Sequence, residues 1–147
     1  MDDHWMKIEP GFAVADVTSD AIYLAFGVRN VGSGLAVLDR WCFRSDPRGG
    51  AQTHPNIDEF LRLTRDLYIA AGDVGFWQGA LRDRDDPLFD QVRDAITARR
   101  RFAIDVLYGD HEGGQRTVTR FALTPRDNDQ WIISVGRHWN LDRPDPR

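Results

Sequence analysis

The sequence predicts a mostly β fold, an antiparallel β-sandwich of about seven strands with two short helical insertions. Apolar side chains alternate with polar ones over most of the chain, which is the pattern of strands that bury one face. Clusters of Gly, Asp, Asn and Ser interrupt these runs at turn positions. Only two segments have helical spacing. Because a parallel sheet needs crossover helices between most of its strands, the strands are expected to run antiparallel.

Three strands are expected in the first third of the chain. A short strand over 12–17 ends at the turn Thr18-Ser19-Asp20. A longer one over 22–29 is marked by alternation of Ile22, Leu24, Phe26 and Val28. After the turn Gly32-Ser33-Gly34, a third strand over 35–43 holds Trp41 and Cys42. We expect Trp41 in the core and Cys42 as a buried, unreactive thiol.

Two segments of the middle third have the period of a helix. In the first, Ile57, Phe60, Leu61 and Thr64 share a face, and Asn56 with Glu59 forms a capping-box pattern. The second is predicted to start at Asp86-Pro87, with an apolar stripe of Leu88, Val92, Ala95 and Ile96. Between the helices, strands are expected over 67–70 and 74–81, joined at Gly72-Asp73.

The last third predicts three consecutive strands over 102–108, 115–124 and 130–140, which form an antiparallel meander. Strict alternation along the final strand places His138 on one face. The opposite face then carries Trp131, Ile133, Val135, Arg137 and Trp139.

Length and composition limit the possible classes of protein. The chain has 147 residues, which is the size of one domain, and we expect a tether over 1–11, the β-sandwich over 12–140 and a tail over 141–147. The net charge of −4 argues against a nucleic-acid-binding role, which normally shows a basic stripe. No apolar run reaches the length of a membrane span, and the acidic start Met1-Asp2-Asp3 is unlike a signal peptide.

The segment over 23–36, which includes Asn30-Val31-Gly32-Ser33-Gly34, resembles a strand–turn–strand of immunoglobulin-like β-sandwich modules in bacterial proteins. The stretches over 72–80, 107–116 and 137–142 resemble an uncharacterised bacterial family that carries such a module. The resemblance implies an immunoglobulin-like sandwich with Trp41 as its core tryptophan, often placed after a membrane segment or a linker. It implies no activity, cofactor or catalytic residue, and the chain lacks the cysteine pair of antibody domains.

The loop Asp110-His111-Glu112, beside Gly113-Gly114, is the most suggestive polar cluster. Its side chains can ligate a metal ion, or a carboxylate can orient the histidine as a general base. A polar hairpin loop is the simpler interpretation, because Asp and Gly suit its backbone angles and no second ligand pair has zinc-like spacing. We therefore predict no metal, no cofactor and no catalytic residue.

Aromatic and basic side chains on two strands complete the candidate interaction surface. Arg137, His138 and Trp139 lie on the last strand, where an arginine beside a tryptophan can stack and bind a planar or anionic ligand. The alternative is a strand end at which the core stops. Trp77 follows Phe76, so one of these two rings points away from the core, and burial of Trp77 under a helix is the favoured interpretation.

These features favour a non-enzymatic binding module for an unidentified protein partner, in the soluble domain of a membrane-tethered or multidomain bacterial protein. We expect a cytoplasmic or membrane-associated location. One alternative is a metal-dependent or hydrolase-like enzyme built on Asp110, His111, Glu112 and His138, which requires a pocket where a histidine meets a carboxylate. The other is a carbohydrate-binding module with an exposed Trp77 or Trp139 ring. The binding module itself predicts exposed aromatic residues on a flat or edge-strand surface.

Overall fold

The computed structural model describes residues 6–7, 11–32, 34–45, 56–110, 115–127 and 129–142. Over these ranges the chain forms nine β-strands and one α-helix, with a short 3-10 turn at Ile57–Glu59. The elements are β1 (Met6–Lys7), β2 (Gly11–Val17), β3 (Ile22–Asn30), β4 (Ala36–Arg44), β5 (Leu61–Ile69), β6 (Val74–Leu81), α1 (Pro87–Thr97), β7 (Phe102–Gly109), β8 (Thr117–Pro125) and β9 (Trp131–Asn140).

The nine strands belong to one antiparallel sheet that curls into a nearly closed barrel. Hydrogen-bonded neighbours follow the order β1-β3-β2-β9-β8-β7-β4-β5, and β6 pairs with the remaining edge of β3. The barrel wall therefore runs from β5 through β4, β7, β8, β9, β2 and β3 to β6. In the described part of the chain no ladder joins β5 to β6, so these two strands border a gap in the wall.

The predicted mostly β, antiparallel architecture is confirmed. The structure has nine strands where about seven were expected, and they form one continuous sheet. Strand β2 makes it continuous, because its residues 14–17 pair with β3 whereas its residues 11–13 pair with β9. The predicted tether contains β1, which pairs with Arg29 and Asn30 at the end of β3. In the predicted tail, the Leu141 amide donates to the Arg116 carbonyl over 2.9 Å, and residues 143–147 lie outside the described ranges.

The first predicted helix is wrong. Asn56 does cap a helical turn, because its side chain accepts a hydrogen bond from the Asp58 amide at 3.0 Å, but the turn ends at Glu59. The chain then enters β5, which pairs with β4. Leu61, Leu63, Leu67 and Ile69 also fit a period of two, and the gain from pairing with β4 exceeds that of an isolated amphipathic turn.

The second predicted helix is confirmed as α1, which covers one end of the barrel. Asp86 caps it by accepting from the Leu88 amide at 2.9 Å, and its apolar face enters the core. It connects the end of β6 to the start of β7, two strands that are not neighbours in the sheet. At its far end, Arg99 adopts a left-handed conformation (φ 57°) and its guanidinium lies 5.0 Å from the Trp131 ring centroid. This arrangement holds the helix end against the β8–β9 turn.

The barrel interior is an aromatic core. Phe26 stacks on Trp77 at 4.7 Å between centroids, and Trp41 meets the same indole edge-on at 5.6 Å. Trp41 is buried, so its predicted core position is confirmed. None of the helices in the described ranges is both long and apolar enough to cross a membrane.

Candidate functional site

A bulge in β9 changes the faces on which the predicted site residues lie. Arg120 pairs with Arg137 and Phe121 pairs with Val135, so Gly136 is an extra residue without a partner. A Cβ atom at Gly136 would lie 3.3 Å from the Arg120 carbonyl oxygen. The prediction that Trp139 shares a face with Trp131 is therefore wrong, because the extra residue reverses the alternation beyond it.

Trp139 lies on the outer side of the barrel wall, in a second apolar cluster with Phe60, Leu107 and Val118. The guanidinium groups of Arg120 and Arg137 lie 4.8 and 5.2 Å from its ring centroid. The arginine–tryptophan stacking considered for this strand is thus present. The indole has no exposed surface, however, and offers no open ring to a ligand.

Trp77 is likewise fully buried, and it is Phe76 that points away from the core, with 54% of its surface exposed. The indole is covered by the barrel interior and not by a helix, because it packs on Phe26 and Trp41. The carbohydrate-binding alternative required an exposed ring at Trp77 or Trp139. Both rings are inaccessible, so that alternative is contradicted for these two residues.

His138 faces the barrel interior. Its Nδ1 lies 2.7 Å from the Thr119 hydroxyl oxygen, which in turn donates to the Tyr108 hydroxyl at 3.1 Å. Burial lowers the pKa of the His138 imidazole, so the neutral ring is favoured at neutral pH. This geometry ties the histidine to two buried hydroxyl groups of the barrel wall.

Asp110 lies directly after β7 and borders a shallow cavity of about 410 Å³, together with Asp39, Tyr68 and Arg116. His111 and Glu112, the other two residues of the predicted polar loop, lie outside the described ranges. Burial raises the pKa of Asp39 in this cavity, and the nearby negative charge of Asp66 acts in the same direction. No three His, Cys, Asp or Glu side chains within the described ranges are grouped so that they could hold a metal ion.

A buried ion pair that the sequence analysis missed lies on the outer side of β7 and β8. The Asp105 carboxylate is fully buried and receives two hydrogen bonds from Arg120, at 2.7 and 2.9 Å. Arg44 adds a third contact at 3.2 Å. A signal was present in the sequence, since Asp105 is the charged residue inside an otherwise apolar strand, but its partner depends on the register between β7 and β8. Close by, burial raises the pKa of the Cys42 thiol to about 11, which keeps it protonated and unreactive at neutral pH.

The gap between β5 and β6 opens into a cleft of about 650 Å³, which we call the β5–β6 cleft. Its β5 side is formed by Leu63, Arg65, Asp66 and Leu67, and its β6 side by Phe76, Gln78, Gly79 and Ala80. Residues of β2 and β3 extend it across the outer face, and Arg82 closes its rim. Half-buried leucines thus form the base of the cleft, and exposed charged side chains surround it.

An irregularity in β5 coincides with the cleft. Leu61 and Arg62 pair with β4, and so do Leu67, Tyr68 and Ile69, but residues 63–66 between them have no partner in the ladder. Near the hairpin the two strands remain close, because a Cβ at Gly75 would come 2.6 Å from the Ile69 side chain. The strands therefore separate with distance from the hairpin, and the unpaired part of β5 borders the opening.

Within the described ranges, most of the exposed large apolar side chains lie near the β5–β6 cleft. The described residues of this kind are found on β2, β3, β5, β6 and the residue after β3: Val14, Tyr23, Val31, Tyr68, Val74 and Phe76. On the other side, Ile57, Phe60 and Leu141 cover the outer faces of β4, β7, β8 and β9. The chain itself therefore covers part of the outer face of β4, β7, β8 and β9, whereas apolar side chains are exposed around the cleft.

Comparisons with known proteins give no family. No family model matches the sequence, and no curated protein matches it. Among solved structures, the chain is similar to β-glucosidase from Kluyveromyces marxianus, labelled with selenomethionine (14% identity, TM-score 0.35) and in complex with glucose (14% identity, TM-score 0.33). Each alignment covers 95% of this chain and 14% of the β-glucosidase chain. With TM-scores this low, the similarity carries no argument about function.

Proposed function

We propose that this chain is a non-enzymatic binding module that docks a partner protein at the β5–β6 cleft. The observation that carries the proposal is the concentration of exposed apolar side chains around this cleft. Val14, Tyr23 and Phe76 line it with 54%, 41% and 54% of their surfaces exposed. Contiguous exposed apolar surface with a polar rim is typical of protein–protein interaction sites.

The composition of the cleft supports a protein partner. Aromatic and arginine side chains contribute most of the binding energy in protein interfaces, and the cleft combines Tyr23 and Phe76 with Arg65 and Arg82. The Arg82 guanidinium already lies 5.3 Å from the Tyr23 ring centroid. Because this pair is arranged before binding, less conformational freedom is lost when a partner covers it.

The proposal depends on the outer surface of four strands and not on a family resemblance. The immunoglobulin-like character and the bacterial origin stay predictions from the sequence. A metal-dependent or hydrolase-like activity of the Asp110-His111-Glu112 loop also stays a prediction, and no observation on the described residues favours it over binding.

Selection from a displayed library of random peptides of about 12 residues tests the proposal. We expect selected peptides to bind the wild-type chain and to lose at least tenfold in affinity when Phe76 is replaced in Phe76→Ser. Val31→Ser is the matched control, because Val31 is 45% exposed but does not line the cleft. Peptides that bind both variants equally well, or a selection that enriches no peptide, would contradict the proposal.

A further inference from the structure

The β5–β6 cleft presents main-chain edges as well as apolar side chains. Strand β6 pairs with β3 along its whole length through one edge, and its other edge faces the cleft. Across the opening, residues 63–66 of β5 pair with no other strand. The peptide N–H and C=O groups on an unpaired strand edge are a ready template for an additional strand.

The side chains around this edge suit an extended occupant. A strand added to β6 would place alternate side chains next to Phe76 and Gln78 on the outer face, within reach of cross-strand contact. The other side chains would point toward Leu63 and Leu67 at the base of the cleft. Apolar residues are therefore favoured at both sets of positions in the middle of the added segment.

The charges around the opening favour an acidic segment. Arg65 and Arg82 line the cleft and are exposed. Asp66 lines this cleft and also borders the neighbouring cavity, beside Asp39. The cleft thus carries an excess of arginine, which binds carboxylates well because its guanidinium can donate two parallel hydrogen bonds.

We infer that the β5–β6 cleft binds an extended, apolar segment with acidic flanking residues, supplied by another protein, which pairs with β6 as an added strand. This inference rests on the proposed function and specifies the occupant. Main-chain hydrogen bonds to β6 supply the affinity, and the alternating side chains supply the selectivity.

The test uses the library-selected peptides and replaces their backbone amides by N-methyl amides, one position at a time. An added strand turns every second amide toward β6, so methylation at alternate positions should reduce affinity at least tenfold and methylation between them should have a smaller effect. A helical peptide would lose affinity without this alternation, because each of its inner amides makes a bond within the helix. Loss without alternation, or no loss at all, overturns the inference.

Two variants of the chain test the charge preference. We expect Arg82→Glu to weaken peptides with acidic flanks at least fivefold and to strengthen versions with lysine flanks. Arg84→Glu is the control, because Arg84 is exposed but does not line the cleft. Equal effects of the two variants would contradict the acidic preference. Hydrogen exchange should show slower amides over 75–80 when peptide is bound.

Three further outcomes show which of the two proposals fails. If selected peptides depend on Phe76 but show no alternation, the cleft is a binding site and the added strand is wrong. If the chain instead forms a concentration-dependent dimer that Phe76→Ser abolishes, the occupant is a second copy and the inference fails. If no peptide depends on Phe76, both the proposed function and the inference fail.

Discussion

The indole ring of Trp77 occupies the space in which Gly79 would carry a side chain. A Cβ atom at Gly79 would come 2.7 Å from Cη2 of that ring and 3.3 Å from Trp41. Glycine at this position lets Trp77 lie across its own strand and meet Trp41 edge-on. The edge-on packing of these two buried indoles depends on this missing side chain.

Replacing Gly79 should therefore destabilise the fold. We expect Gly79→Ala to lower the free energy of unfolding by about 1–3 kcal/mol, because the added methyl group forces two buried indoles to move. Gly27→Ala on β3 is the control, because the nearest atom to its Cβ is 4.0 Å away. Chemical denaturation measures both variants, and an equal effect would show that Trp77 can move at little cost.

Removing one partner of the buried Asp105–Arg120 ion pair should lower the free energy of unfolding by more than Gly79→Ala does. Arg120→Met leaves the fully buried Asp105 carboxylate with Arg44 alone, and we expect a cost of about 3–5 kcal/mol. Replacing both residues with apolar ones, in Arg120→Met with Asp105→Leu, should recover much of this loss. Denaturation of the two single variants and the double variant measures the coupling.

An exposed pair provides the comparison for this prediction. Arg116 and Asp142 are 3.0 Å apart, but their side chains are 40% and 31% exposed. We expect Asp142→Asn to cost less than about 1 kcal/mol, because solvent screens exposed ion pairs. A cost equal to that of Arg120→Met would mean that burial does not set the energy of these pairs.

Removing the Asn30 side chain should loosen the β5–β6 hairpin. Its side-chain amide donates to the carbonyls of Gly34 and Ile69 at 2.7 and 2.8 Å, and its oxygen accepts from the Gly32 amide at 2.9 Å. Asn30→Ala should cost about 2–3 kcal/mol, because the Ile69 carbonyl loses a buried hydrogen-bond partner. Hydrogen exchange over 69–74 should accelerate by at least tenfold.

The capping residue Asn56 is the control for Asn30. It is exposed and makes one described side-chain contact, to the Asp58 amide. We expect Asn56→Ala to cost about 0.5–1 kcal/mol and to leave exchange over 69–74 unchanged. Faster exchange at the hairpin in this variant would show that the effect is not specific to Asn30.

His138 predicts a pH dependence of stability. Because burial lowers the pKa of the folded imidazole below its usual value of about 6.5, protonation is easier in the unfolded chain. This contribution to stability is complete above about pH 7 and is lost as the pH falls through about 6.5 toward the folded pKa. The free energy of unfolding of His138→Asn should therefore change less than that of the wild type between about pH 7.5 and 5.5. Identical pH profiles of the variant and wild type would contradict the prediction.

Local patterns predicted the elements that are determined by local chemistry. The alternation in β3 and β7 and the Asp86-Pro87 start of α1 are visible in the sequence because each needs only neighbouring residues. The helix predicted after Asn56 is wrong because the leucines there satisfy both a helical and a strand period, and pairing with distant β4 selects the strand. The predicted faces of Arg137, His138 and Trp139 are wrong because of a bulge in β9, which alternation alone does not reveal.

The candidate site was less accessible to prediction than the strands. That one of Phe76 and Trp77 faces outward follows from adjacency on a strand, and the structure identifies Phe76. The cleft beside it results from the missing ladder between β5 and β6, and the pair of Asp105 with Arg120 results from the register of two strands. Both depend on how particular strands pair, which composition and periodicity do not encode.

The two partners of β2 have a consequence for how the protein is made. Its residues 11–13 pair with residues 131–133, so β2 leaves the ribosome long before its neighbour β9. The wall cannot close between β2 and β9 until β9 has emerged, and contacts so distant in sequence slow folding. Until then the backbone edge of β2 at residues 11–13 stays unpaired, and in this interval a nascent chain benefits most from a chaperone.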